Sequence, residues 1–124
     1  MKTRETEIAQ RYLLLFKLDA ERVFERIITR RDEYLEVFAN RRVRNHFDEI
    51  FKNRMGEAKI EHLAHCSSDT IGALDQFYEQ IDVLWWYLKV TQDMPGSVAE
   101  EVDRKIVRLR KLYETLMLFL NAEL

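Results

Sequence analysis

Residues 94–100, Met94-Pro95-Gly96-Ser97-Val98-Ala99-Glu100, decide the fold, because unbroken helical periodicity flanks them on both sides. Upstream, Ile71, Leu74, Tyr78, Ile81, Trp85 and Leu88 recur at alternating spacings of three and four. Downstream, Val102, Ile106, Leu109, Tyr113, Leu116 and Leu120 do the same. Side chains spaced in this way line one face of a helix, so each segment carries a seam that must be buried. Pro95 cannot continue a helix, and Gly96 tolerates the left-handed backbone of a helix end. Ser97 and Glu100 fit a capping box that starts the next helix. Residues from about 69 to 124 therefore read as an antiparallel helical hairpin.

The rest of the chain follows the same logic. One Pro and three Gly in 124 residues leave too few turn residues for a β-rich fold, so the chain reads as all-α. Hydrophobic residues at 47% and charged residues at 34% suit one globular domain over 1–124 rather than a disordered chain. A first helix is expected from Thr3 or Thr6 along Ile8, Tyr12, Phe16, Ala20, Val23 and Ile27, then past Tyr34 and Phe38 to Asn40. Asp19 offers an alternative N-cap, which would place a break or kink at Leu18–Asp19. A second helix is expected to carry Phe47, Ile50, Phe51, Met55, Ala58 and His62, weakened at Gly56 and closed by Cys66-Ser67-Ser68-Asp69. Helices of about 35, 24, 24 and 26 residues make an antiparallel bundle of about four helices, the first overshooting the others.

Cys66 is the lone cysteine, which excludes an internal disulfide and favours a reducing compartment. The longest apolar run near the N-terminus, Tyr12 to Phe16, is too short for a signal-peptide core or a membrane span. The expectation is a cytoplasmic protein with no membrane role. Charge is uneven: residues 1–54 balance at +3, 55–103 at −8 and 104–124 at +3. An acidic third segment packed beside basic neighbours would help fix helix order.

The seams do not use all the apolar surface. Leu13, Leu14, Val83, Trp86, Tyr87, Val90, Leu118 and Phe119 lie off them. Trp85 and Trp86 point about 100° apart, so both cannot face one seam. The run Leu116-Met117-Leu118-Phe119-Leu120 is apolar around the whole helix. Such excess suggests a self-association surface of Trp86, Tyr87, Val90, Leu118 and Phe119, with Leu13 and Leu14 as a second candidate. The occupant would be a second copy, giving a homodimer, or another protein's amphipathic helix.

Chemistry-bearing constellations are few. His62, His65 and Cys66 have helical spacing that a metal could use, though a further ligand from elsewhere would be needed. No Glu-x-x-His pair, nucleophile turn or glycine-rich phosphate loop is present, so neither a cofactor nor an enzymatic role is expected. Arg41, Arg42 and Arg44, near Arg30, Arg31, Lys52 and Arg54, concentrate positive charge of the kind that grips nucleic-acid phosphates. Asp32, Glu33, Glu36, Asp48 and Glu49 are interleaved with them.

Four residues separate Arg41 from His46, and Phe47 follows. This spacing resembles the R-x4-6-H motif of the HEPN family of helical, dimeric ribonucleases. The resemblance implies RNA cleavage at a dimer cleft, with Arg41 stabilising phosphate charge and His46 handling the proton. It covers six residues and departs from the family pattern twice: Arg42 stands where a small polar residue is favoured, and the motif falls early in the chain.

Overall fold

The downstream repeat folds as a helix whose buried side is the one its spacing marks. A computed structural model of the chain describes residues 4–33, 36, 46–90 and 98–124, the side chain of His46 excepted. Its helices are α1 (Arg4–Thr29), α2 (His46–Phe51), α3 (Ile60–Leu63), α4 (Ser68–Val90) and α5 (Val98–Glu123), with a 3-10 turn at Met55–Glu57 between α2 and α3. No strand occurs among the described residues, so the chain is all-α as expected. Of the stretch that opened the sequence reading, residues 94–97 lie outside them, while 98–100 begin α5.

On α5, Val102, Ile106, Leu109, Leu116 and Leu120 are buried, joined by Val98. On α4 the stripe is rotated from its expected position. Leu74, Tyr78, Ile81 and Leu88 are buried, but so are Phe77 and Leu84, while Ile71 and Trp85 fall to the edge. The cause is that α4 packs against both α5 and α2, so its apolar arc is wider than one seam.

Polar contacts at the helix ends fix the directions. Ser67 Oγ caps α4 by accepting from the Thr70 N–H at 3.3 Å. The Glu123 carboxylate closes the same end, accepting from the Ser67 N–H at 2.8 Å and from the Thr70 hydroxyl. Its negative charge suits the positive end of the α4 dipole. Gln80 donates to the Lys105 carbonyl at 3.3 Å farther along, so α4 and α5 run antiparallel. Gln10 reaches the Glu123 carbonyl at 3.4 Å, whereas Arg31 pairs with Asp103 at 2.6 and 2.8 Å. Thus α1 is also antiparallel to α5, and residues 46–63 lie in the path from α1 to α4.

An aromatic cluster joins the three long helices. Phe24 on α1 stacks on Tyr113 of α5 at 4.0 Å, nearly parallel at 6°. Phe77 on α4 meets both rings, at 6.5 and 5.8 Å, and Tyr78 stands edge-on to it at 5.0 Å. The Tyr78 hydroxyl donates to Asp19 Oδ2 at 2.6 Å. Burial, and then this carboxylate, push the hydroxyl pKa well above the ordinary tyrosine range.

Two expectations about the first half are corrected. The first helix neither breaks at Leu18–Asp19 nor continues unbroken to Asn40. It runs through Asp19 and stops at Thr29, with a turn at Arg30 before helical backbone resumes at 31–33. Asp19 is occupied as an acceptor, not as a cap, and the Thr29 hydroxyl bonds back to the Arg26 carbonyl at the helix end. The second helix is not continuous. Asn53 bonds its own backbone surroundings, donating to the Phe51 carbonyl at 3.2 Å and accepting from the Met55 N–H at 3.1 Å. Such local bonds compete with helical ones, and Gly56 favours the unwound alternative.

Helix α1 takes over what that segment lacks. Arg26 Nε donates to the Ile50 carbonyl at 2.8 Å, and the same guanidinium reaches the Lys52 carbonyl. Asp19 Oδ1 accepts from the Arg54 N–H at 3.0 Å. The segment still delivers Phe47, Ile50 and Phe51 into the core. Asp19→Ala leaves both the Tyr78 hydroxyl and the Arg54 N–H without their acceptor. It should lower unfolding stability by about 1–3 kcal/mol in urea titration. Tyr78→Phe, which removes the buried donor itself, should cost less.

Candidate functional site

The outer face of α4 carries a second repeat, opposite the core. Gly72, Gln76, Glu79, Val83, Trp86 and Val90 recur at spacings of three and four, so they align along the helix. Its C-terminal half is apolar and open: Trp86 is 58% exposed, Val83 42% and Val90 45%. Neighbouring Trp85 has a different environment. Its indole N–H donates to Asp48 Oδ1 of α2 at 2.8 Å, and the Lys89 ammonium binds the same carboxylate at 3.2 and 3.4 Å. Lys89 also lies 4.6 Å from the Trp85 ring centre, a cation–π distance. The indole bond first, and then Lys89, hold the Asp48 carboxyl below its usual range. Trp86 thus remains as the open member of the pair, its ring centre 6.0 Å from that of Trp85.

The other residues expected at this surface are divided among different places. Tyr87 is half-buried against the core, with the Lys105 ammonium 4.9 Å from its ring centre, so α5 covers it. Leu118 is 69% exposed, and Phe119 packs partly against the core. Because α4 and α5 are antiparallel, both lie near the start of α4, at the opposite end of the hairpin from Trp86. They do not form one surface with it. Leu13 is 3% exposed and belongs to the core, which corrects its expected place on a second surface. It takes the buried position that spacing assigned to Tyr12, because the buried side of α1 runs Leu13, Phe16, Ala20, Val23, Ile27.

Leu14 is exposed as expected, but Leu15 and Leu18 are exposed beside it and were not anticipated. The signal was present: in Leu13-Leu14-Leu15, consecutive side chains diverge by about 100°, so one buried leucine leaves the others outside. Leu15 and Leu18 border a groove of about 460 Å³ between α1 and the irregular segment, with Phe16, Met55 and Ala58 in its wall. His62 also lines it.

The three residues with metal-ligand spacing have other partners. The His62 and His65 rings both stack on Tyr12, at 4.5 and 5.1 Å. His62 Nδ1 accepts from the Lys59 N–H at 3.1 Å, closing the start of α3. Cys66 is buried, and burial followed by the nearby Glu123 charge pushes its thiol up to about 11. Among the described residues, no group of three or more His, Cys, Asp or Glu side chains is gathered to hold a metal ion.

Arg41, Arg42 and Arg44 lie outside the described residues, as does the side chain of His46. The described basic residues nearby form a recess between α1 and the irregular segment. Arg22, Arg26, Arg30, Lys52 and Arg54 line it, but Asp19 and Glu49 do so too. Arg26 is already engaged with backbone carbonyls there. No described helix is long and apolar enough to cross a membrane. The chain matches no protein-family model, and no curated protein or solved structure is similar to it.

The Asp48 arrangement has a defined pH dependence. A carboxyl whose folded pKa is lowered contributes stability that is fully present above the unfolded value, about 3.9. That contribution is lost as pH falls through the lower, folded value. Asp48→Asn should therefore reduce urea stability at pH 7 and cost progressively less as pH falls below about 4, so that the variant's acid decline is shallower. Tryptophan emission during urea titration at several pH values measures both.

Proposed function

We propose that this chain is a non-enzymatic protein-interaction module of the cytoplasm that self-associates through the outer face of α4. The observation that carries the reading is Trp86, 58% exposed, flanked at helical spacing by exposed Val83 and Val90. An indole left in water beside two aliphatic side chains gains most when a partner covers it. Tryptophan in a packed, desolvated centre is also the residue type that dominates interface energies. Isolated exposed apolar residues are ordinary, but three aligned on one helix face make a patch.

On this reading the fold is an antiparallel four-helix bundle in which residues 46–63 occupy the place of the second helix. Leu14, Leu15 and Leu18 form a separate apolar area suited to another protein's amphipathic helix. Nucleic-acid binding has less support, because acids are interleaved in the basic recess and Arg26 is spent on backbone carbonyls.

Sedimentation equilibrium tests the proposal. At tens of micromolar the chain should sediment at twice its 15.0 kDa mass. Trp86→Ser should return it to the mass of one chain with unchanged helicity. A wild-type chain that stays single at that concentration would overturn self-association.

A further inference from the structure

The residues beside Trp86 are arranged symmetrically about it. At 100° per residue, Asp82 and Lys89 lie about 40° and 60° to one side of Trp86, while Val83 and Val90 lie about 60° and 40° to the other. Along the helix axis, Asp82 and Val90 are each about 6 Å from Trp86 in opposite directions, and Val83 and Lys89 about 4.5 Å. A twofold axis through Trp86, perpendicular to α4 and to the line joining two facing helices, keeps each flank on its own side and reverses the direction. Asp82 then comes level with Lys89 of the second copy to within about 1.5 Å along the axis, and Val83 with Val90. A parallel pair would separate the same charges by about 10 Å along the axis.

Of the groups that would pair, Asp82 is unengaged and Lys89 keeps a donor beyond its contacts with Asp48 and Trp85. Asp82 is exposed and has no cation within ion-pair reach among the described residues. Burial, and then neighbouring Glu79, hold its carboxyl above the ordinary range, as expected of an acid short of positive charge. Lys89 meets both oxygens of Asp48, and an ammonium has three donors, so one remains for a second acceptor. We infer that α4 pairs with α4 of a second copy, antiparallel about a twofold axis at Trp86, with Asp82 and Lys89 exchanging ion pairs across it. Such an isologous contact closes on itself and stops at two chains. The inference rests on the self-association reading and adds its direction and register.

Charge reversal tests it separately. Asp82→Lys and Lys89→Asp each place like charges opposite one another twice, and each should weaken dimerisation about tenfold or more in sedimentation. An equimolar mixture of the two variants makes every crossed pair opposite in sign, so it should form a mixed dimer of wild-type affinity. Because Lys89→Asp also removes the Asp48 bond, its thermal melt is recorded beside the wild type. If that variant does not fold, chains carrying Val83→Cys and Val90→Cys supply the same test. Mixed and oxidised, they should crosslink to each other far more than either does to itself. Single variants that dimerise as the wild type does, or cysteine chains that crosslink no better when mixed, would overturn this register. Trp86→Ser dissociation would then leave self-association standing, whereas a single-chain wild type would overturn both.

Discussion

Backbone that leaves the helical ladder beside a core must find other hydrogen-bond partners, and this requirement organises the first half of the molecule. Residues 52–59 lack a continuous helical ladder, yet Met55 and Ala58 pack partly against the core. Two side chains of α1 meet the need: Arg26 donates to the carbonyls of Ile50 and Lys52, and Asp19 accepts from the Arg54 N–H. Asp19 further ties this region to α4 through Tyr78, so one carboxylate connects three parts of the chain. A charged acceptor bound by two donors is stronger than the neutral bonds it replaces.

The long helices depend less on polar chemistry. Their common volume is filled by the α5 seam, the rotated stripe of α4 and the Phe24–Phe77–Tyr113 cluster, whose offset and tilted rings suit aromatic packing. Ion pairs operate at the margin. Arg31 with Asp103 joins a basic early residue to the acidic third segment, as the charge distribution suggested, whereas Lys89 with Asp48 pairs a base of that segment with an early acid. Exposed pairs of this kind contribute little energy, but they disfavour arrangements that separate them.

Legibility followed physical cause. The α5 seam was readable almost residue by residue, because its buried side chains follow one three-four repeat. The α4 seam was readable only in part, since its apolar arc is broader than one stripe, which concealed the choice between Ile71 and Phe77. The end of α1 at Thr29 and the unwinding around Asn53 were not readable. The unwinding goes with side chains bonding backbone, and periodicity carries no trace of that. Trp86 was singled out correctly as lying off the seam. Its separation from Leu118 and Phe119 required knowing which end of each helix meets which. The Arg41 and His46 motif remains a resemblance in six residues.

The manner in which α1 grips the irregular stretch has a consequence for how this protein can change over time. Arg26 and Asp19 seize main-chain atoms, which every amino acid but proline supplies in full, and ignore the side chains that happen to be attached. Most positions from Lys52 to Lys59 are therefore free to drift while the path of the chain persists. In this corner of the molecule, shape is inherited more faithfully than spelling.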